Sequence, residues 1–316
     1  MSVNLKTLRT WVVTEGMAGT ENQCLGVAEA LGVTPEVKRI TLRQPWKFFS
    51  PYLGFEQSWS FSEKLEGPWP DLLLASGRKS IAVSRYIKKK SGGKTFTVQI
   101  QDPRISPHHF DLVAVPEHDP TRGDNVITTV AAANRLTGYK LDSAKTDFAP
   151  QFAMMQGPRI AVLLGGNSKA YTVTPYLMRK LGAQLSALPG TPLITASRRT
   201  GEAEQMALKE ALKDKPHYFW DGTGPNPYFG MLAWADYILV TADSVSMLGD
   251  AATTGKPVYM IGLEGGTERF TKFHEALMGR GIVRPFEGVL ENWRYTPLAD
   301  SAHVAQEIMR RLAPAA

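Results

Sequence analysis

The chain has 316 residues, 43% of them hydrophobic and 21% charged, and its 36 Lys and Arg against 30 Asp and Glu give a formal net charge of +6. That length favours two domains over one small core, and the balance is that of a soluble globular protein, with no run reaching the ~18 apolar residues of a membrane-spanning helix. The modest positive surplus suits anionic ligands or an anionic membrane surface and lacks the dense basic stripe of a nucleic-acid binder, and the single cysteine, Cys24, excludes an internal disulfide or a cysteine metal cluster.

The first ten residues carry basic side chains but no apolar h-region, so a secretory signal is not expected and a cytoplasmic location fits. A strand over 10–14 leads into a Gly-containing loop over 15–19 and a helix over 21–31 that stops at Gly32. Cys24 falls on that helix as a buried structural thiol. Strands follow over 37–42, 71–75, 95–101 and 112–115. A helix over 79–90 ends in Lys88, Lys89 and Lys90, where cations complement the helix dipole. Between the strands, residues 45–61 hold seven aromatics and few charges, with Arg43 and Lys47 beside them. Such density suits either an exposed, membrane-facing lobe or a satellite core under the sheet.

A break bearing Pro and Gly over 148–158 separates two halves, and the rhythm restarts. The second half reads as a strand over 159–164, a loop Gly165-Gly166-Asn167-Ser168-Lys169 and a helix over 173–181. A strand over 192–196, a helix over 203–212 and a short strand over 218–220 follow. A short helix carries Ala235-Asp236, and a buried strand over 237–241 comes next. A turn of small polar residues then opens a helix with Asp250 near its start, before Gly255-Lys256-Pro257 and another strand. The last element, over 301–312, is an amphipathic helix capped by Ser301. Strand–helix alternation in both halves predicts an α/β fold of two Rossmann-like domains facing a central cleft, over 1–152 and 153–300. The helix over 301–316 is expected to pack back on the first domain.

A helix that opens after a parallel strand presents free N–H groups and the positive end of its dipole, and small residues let a diphosphate come close. Ser244 and Ser246 occupy that position, where Ser is also a helix N-cap. Asp250, further into the helix, suits the vicinal hydroxyls of a ribose, or merely complements the dipole. The Gly165-Gly166-Asn167 turn opens the second domain as a phosphate loop. Lys169 or, with its bidentate guanidinium after a strand end, Arg198 neutralises a diphosphate leaving group. Asn226-Pro227-Tyr228 lines a base or sugar pocket or forms a turn with a packed aromatic.

The spacing of Asp250, Gly255 and Pro257 after a Ser-rich turn resembles the donor site of GT-B glycosyltransferases, closest to the peptidoglycan N-acetylglucosaminyltransferase group, with Asp250 in place of the usual Glu. Gly165-Gly166-Asn167-Ser168 resembles the Gly-Gly-Ser loop that meets the donor phosphates there. A closer match covers nearly the whole chain. It resembles the mitochondrial-fission "elongated mitochondria" family, whose bacterial members are GT-B-like. The matching segments are Gly19-Thr20-Glu21-Asn22-Gln23, Pro70-Asp71 through Gly77-Arg78-Lys79, Asp102-Pro103-Arg104, Ser197-Arg198-Arg199-Thr200, Asn226-Pro227-Tyr228 and the run from Thr241 to Met247. Thr20 stands where that family often carries His.

The resemblance implies a metal-independent glycosyltransferase that moves a sugar from a UDP- or GDP-type nucleotide-sugar to an acceptor, lipid-linked or an envelope glycan, with no further cofactor and no nucleic-acid partner. Peripheral contact with the inner face of the membrane is expected from the aromatic lobe. The donor-side set is Gly165, Gly166, Asn167, Ser168, Lys169, Arg198, Asn226, Tyr228, Ser244, Ser246 and Asp250. The acceptor-side set is Gly16, Gly19, Asn22, Gly77, Arg78 and Lys79, with closure of the domains assembling the site. An inverting transfer needs a base for the acceptor hydroxyl, for which Glu15, Glu21, His118 and Asp119 are the candidates. No Asp-x-Asp, Gly-x-Ser-x-Gly or Walker-type loop is present. Two alternatives stand beside the transferase: a non-catalytic scaffold on the same fold that recruits a partner, and a nucleotide-sugar 2-epimerase-like enzyme.

Overall fold

The computed structural model describes residues 7–313, and the apolar runs become the strands of two separate six-stranded sheets. Every neighbouring pair in both sheets is parallel. Parallel strands are covered on both faces, which is why the central ones read as unbroken apolar runs rather than alternating ones. The chain divides into two compact units, one of residues 1–135 with 299–316, the other of 136–298.

The first unit contains β1 (Thr10–Thr14), α1 (Ala18–Leu31), β2 (Glu36–Arg39), α2 (Trp46–Phe49), β3 (Leu72–Ser76), α3 (Ser80–Lys90), β4 (Phe96–Ile100), β5 (Leu112–Pro116) and β6 (Val126–Thr129). Its sheet order is β2-β1-β3-β4-β5-β6. The direction of winding reverses between β1 and β3, and in open parallel sheets ligands bind beyond the strand C-termini at such a reversal. One face packs Val12, Leu72, Leu74 and Val98 against Val27 and Leu31 of α1 and Val304 and Ile308 of the C-terminal helix, Asp300–Leu312. The other packs Trp11, Val13 and Leu73 against Val83 and Ile87 of α3. α1 ends at Gly32, whose left-handed φ of 70° lets its N–H and that of Val33 close the last turn. Cys24 is buried in this core, and burial pushes its thiol pKa up.

The second unit holds α4 (Gly138–Asp147), α5 (Ala149–Phe152), β7 (Arg159–Leu164), β8 (Tyr171–Thr172), α6 (Pro175–Ala187), β9 (Thr191–Ala196), α7 (Glu202–Ala211), β10 (Tyr218–Phe219), α8 (Tyr228–Trp234), β11 (Tyr237–Thr241), α9 (Val245–Thr253), β12 (Val258–Ile261), β13 (Glu264–Gly265), α10 (Glu268–Gly279) and β14 (Val283–Pro285). Its main sheet runs β10-β9-β7-β11-β12-β14, so the reversal lies between β7 and β11. β8 and β13 form a small antiparallel pair.

The unit boundary falls at 135/136 rather than at 152/153, because the segment before β7 is held by the second unit's own aromatics. The Phe148 ring lies where a side chain on Gly230 of α8 would have to go. Phe152 meets Tyr218 edge to face at 5.2 Å, and Trp234 Nε1 donates to Lys145 O at 2.8 Å. The last helix begins at Asp300, and Ser301 does not cap it. Its hydroxyl donates to Asn134 O at 2.7 Å and accepts from Asn134 N–H at 2.9 Å, while the Asp300 carboxylate accepts from the N–H groups of Val130 and Ala131. Asp236 lies just beyond α8 rather than within it and accepts from Arg159 N–H at 2.7 Å.

Candidate functional site

In the second unit the loops after β7 and β11 meet at the reversal of the sheet. Gly165 N–H donates to Thr241 Oγ1 at 2.7 Å, and Gly166 N–H to Asp243 Oδ2 at 3.0 Å. Both glycines are required by contact. A Cβ on Gly165 would lie 2.1 Å from Asp243 Oδ1, and one on Gly166 would lie 2.2 Å from the Arg199 carbonyl. Asp243 is the hub: its side chain is fully buried, its Oδ2 also accepts from Arg199 Nη2 at 3.1 Å, and its Oδ1 has no hydrogen-bond partner. A buried carboxylate needs such partners to remain charged.

The turn after β9 supplies the other wall. Ser197 Oγ donates to Gly165 O at 2.9 Å, Thr200 Oγ1 donates to the same oxygen, and Asn167 N–H donates to Arg199 O at 3.2 Å. Asn167 Oδ1 accepts from Val173 N–H at 2.7 Å, and Ser168 Oγ from Ala170 and Tyr171 N–H, so these two side chains shape the loop. Lys169 is exposed. Arg198, expected to meet a diphosphate, is exposed and makes no ion pair or hydrogen bond among the described residues. Its neighbour Arg199 is anchored to Asp243 with half its side chain open to solvent. The hydrogen-bonded turn from Ser197 to Thr200 decides which arginine faces the loop.

α9 starts at Val245 with Ser244 as its N-cap, whose Oγ accepts from Met247 N–H at 3.3 Å. The N–H groups of Val245 and Ser246 have no intrahelical acceptor and carry the positive end of the dipole. The Ser246 side chain is exposed, beyond the cap, so it is the backbone there rather than the hydroxyl that offers a donor. Ser246 and Asp250 share one face of α9 four residues apart. Tyr228 OH donates to Asp250 Oδ2 at 2.8 Å, and Asn226 Oδ1 accepts from Tyr228 N–H at 3.0 Å at the start of α8. Burial pushes the Asp250 carboxyl up to about 6. Behind the loop, His274 Nε2 donates to Ala242 O at 2.9 Å, and burial lowers its pKa.

In the first unit the loops after β1 and β3 lie at the other reversal. Gly16 and Gly77 adopt φ of 84° and 91°, a region that glycine occupies without cost. Lys79 Nζ pairs with Glu15 Oε2 at 2.6 Å, both partly exposed. Gly19 and Asn22 are exposed on α1, which begins earlier than its pattern suggests, and Arg78 is exposed. Glu21 is poorly suited as a base: Arg39 binds it through two bonds of 2.7 and 2.8 Å and thereby holds its carboxyl below the usual range. His118 and Asp119 follow β5, two strands from the reversal. Asp119 is buried, and Arg122 clamps the carbonyls of Glu117 and Asp119. They do not join the Glu15–Lys79 pair.

Asp243, Thr200, Thr241 and Arg199 were not singled out by the residue pattern. The contact that reveals Asp243 spans 77 residues, and only the match of the Thr241–Met247 run pointed there. Among the described residues no group of three or more His, Cys, Asp or Glu is placed to hold a metal ion, and no helix is long and apolar enough to cross a membrane.

A family model described as "Mitochondrial fission ELM1" matches residues 18–312. "Mitochondrial fission protein ELM1" of Arabidopsis thaliana is 29% identical across 96% of this chain and 91% of its own length. "Uncharacterized protein RP120" of Rickettsia prowazekii is 25% identical across 95% and 98%. Among solved structures, the UDP-GlcNAc 2-epimerase of Methanocaldococcus jannaschii superposes with a TM-score of 0.55 at 12% identity, covering 96% of this chain and 99% of that one. Os79 of O. sativa in complex with UDP superposes with a TM-score of 0.52 at 11% identity, covering 95% and 91%. At these identities the likeness is one of fold, the GT-B-like pairing of two Rossmann-like units.

Proposed function

Since the chain belongs to the mitochondrial fission ELM1 family, with residues 18–312 matched, we propose that it works on a nucleotide-sugar held by the second unit, and that it transfers the sugar to an acceptor hydroxyl. The observation that carries this reading is the convergence at the β7/β11 reversal. The open end of α9 and an anchored, half-exposed Arg199 offer backbone donors and a guanidinium to a diphosphate, and two glycines that admit no side chain let the Asp243 and Arg199 segments close against the loop beside them. Asp250, held by Tyr228, accepts from the ribose hydroxyls. A UDP donor comes first because Os79 was solved with UDP and the Neisseria meningitidis UDP-GlcNAc 2-epimerase, with a TM-score of 0.51, with UDP-GlcNAc.

The chemistry asked of these groups is stabilisation of charge on the departing diphosphate by donors fixed in advance. On the acceptor side, Glu15 at the β1/β3 reversal takes the proton from the acceptor hydroxyl. Its pairing with Lys79 holds it in place, whereas Glu21 is committed to Arg39. The nature of the acceptor, lipid-linked or an envelope glycan, belongs to the same proposal.

Two rival readings have an observation in their favour. The 29% identical Arabidopsis relative is named for mitochondrial fission, which favours a scaffold. The M. jannaschii fold neighbour is a 2-epimerase. Incubating the protein with radiolabelled UDP-GlcNAc, with and without an envelope extract, separates the three. Transfer predicts UDP release that depends on the extract and is lost in Arg199→Ala, with Glu15→Gln lowering turnover but not UDP binding. A C2 epimer or free UDP without any acceptor would support the epimerase, and bound but unconverted donor the scaffold.

A further inference from the structure

The stretch from Arg43 to Phe61, between β2 and β3, places large apolar rings in solvent rather than in a core. Phe48, Phe49, Tyr52, Phe55 and Trp59 are 74%, 54%, 70%, 87% and 58% exposed, five rings within twelve residues. Scattered single exposures need no explanation, but a cluster of this density on one surface segment does.

The segment is held rigidly. Trp46 is buried, donates from Nε1 to Gly54 O at 3.0 Å and meets Trp59 edge to face at 4.7 Å. Ser50 Oγ donates to Arg78 O at 3.0 Å. Arg85 of α3 donates to Leu53 O at 2.6 Å and pairs with Glu56. The rings are therefore presented on a fixed platform.

The charges identify the occupant. Of the charged side chains in this segment, Arg43 and Lys47 are exposed, and the one acid, Glu56, is 8% exposed and neutralised by Arg85. Just past it, exposed Glu63 accepts from Thr41 N–H at 3.2 Å, and Glu66 is paired with Lys64. Phe55 borders a recess of 520 Å³ that Lys89, His108 and His109 also line, together with Lys88 and Asp111, which pair at 2.7 Å. Apolar rings at the level of a headgroup layer, with lysine and arginine beside them, fit an anionic lipid surface and do not suit a cationic or neutral one. We propose that this face of the first unit docks on an anionic bilayer, with Phe48, Phe49 and Phe55 entering the interface and Arg43, Lys47 and Lys89 meeting the headgroups. The proposal does not depend on the nucleotide-sugar reading.

The test is co-sedimentation of the full chain with vesicles of phosphatidylglycerol and phosphatidylcholine, against vesicles of phosphatidylcholine alone. The expected result is binding to the anionic vesicles that weakens with salt. Arg43→Ala or Lys47→Ala each reduces it roughly fivefold, and Phe48→Ser with Phe49→Ser and Phe55→Ser reduces it by about tenfold or more. These three side chains are exposed, so the triple variant is expected to keep the parent's thermal midpoint, which circular dichroism checks. Equal binding to both vesicle types, no binding, or binding unchanged in the triple variant would overturn the proposal. So would concentration-dependent self-association in sedimentation velocity that the triple variant abolishes, since the face would then join two copies.

Discussion

At the residue scale, single groups in the proposed donor loop have separable tasks. Asp243 orients: one carboxylate oxygen holds both the Gly166 N–H and Arg199. Asp250 titrates, because burial raises its carboxyl from 3.8 to about 6. A raised carboxyl binds more protons in the folded chain than in the unfolded one. Its contribution to stability is therefore fully present below about 3.8 and is lost as pH rises through about 6. In the proposed site ligand binding runs the other way, since only the ionised carboxylate would accept from both ribose hydroxyls. UDP affinity is thus expected to be about tenfold weaker at pH 5 than well above pH 6 on account of this group. The terminal phosphate of UDP titrates in the same range for any variant. The difference between the parent and Asp250→Asn, measured by titration at several pH values, isolates Asp250. Identical pH profiles for the two proteins would remove it from the site.

At the element scale, the last helix is a structural part of the first unit. Val304, Ala305 and Ile308 are buried with Val27, Ala28 and Leu31 of α1. Ile308→Ala leaves a cavity in that contact and is expected to destabilise the protein by about 2–5 kcal/mol, read as a lowered midpoint in urea. A change below about 0.5 kcal/mol would show the helix to be dispensable. The elements themselves were largely legible in the sequence, because β1, β3, β7 and β11 are apolar runs that only a doubly covered sheet explains. The Gly165-Gly166 loop was legible for the same reason, following such a run. What was not legible depends on contacts distant in sequence. The attachment of 136–152 rests on Phe148 over Gly230, and the choice of Arg199 over Arg198 rests on one short turn. The burial of Asp243 likewise depends on glycines that pattern alone reads only as a phosphate loop.

At the scale of the whole molecule, two units each carry a parallel sheet with a winding reversal, but the reversals are furnished differently. The β7/β11 reversal holds glycines, a helix start and an anchored arginine. The β1/β3 reversal holds the Glu15–Lys79 pair. The proposed roles, anion holding in the second unit and proton handling in the first, rest on that difference. It also separates nucleotide binding from turnover and from any contact with a membrane. The most direct test is calorimetric titration of the full chain with UDP, GDP, ADP and CMP, alongside Arg199→Ala. Saturable binding of a nucleoside diphosphate is expected, UDP above the others, with a loss of about tenfold or more in Arg199→Ala as a charge-assisted contact disappears. Absence of binding by every nucleotide, or binding untouched by Arg199→Ala, would contradict it.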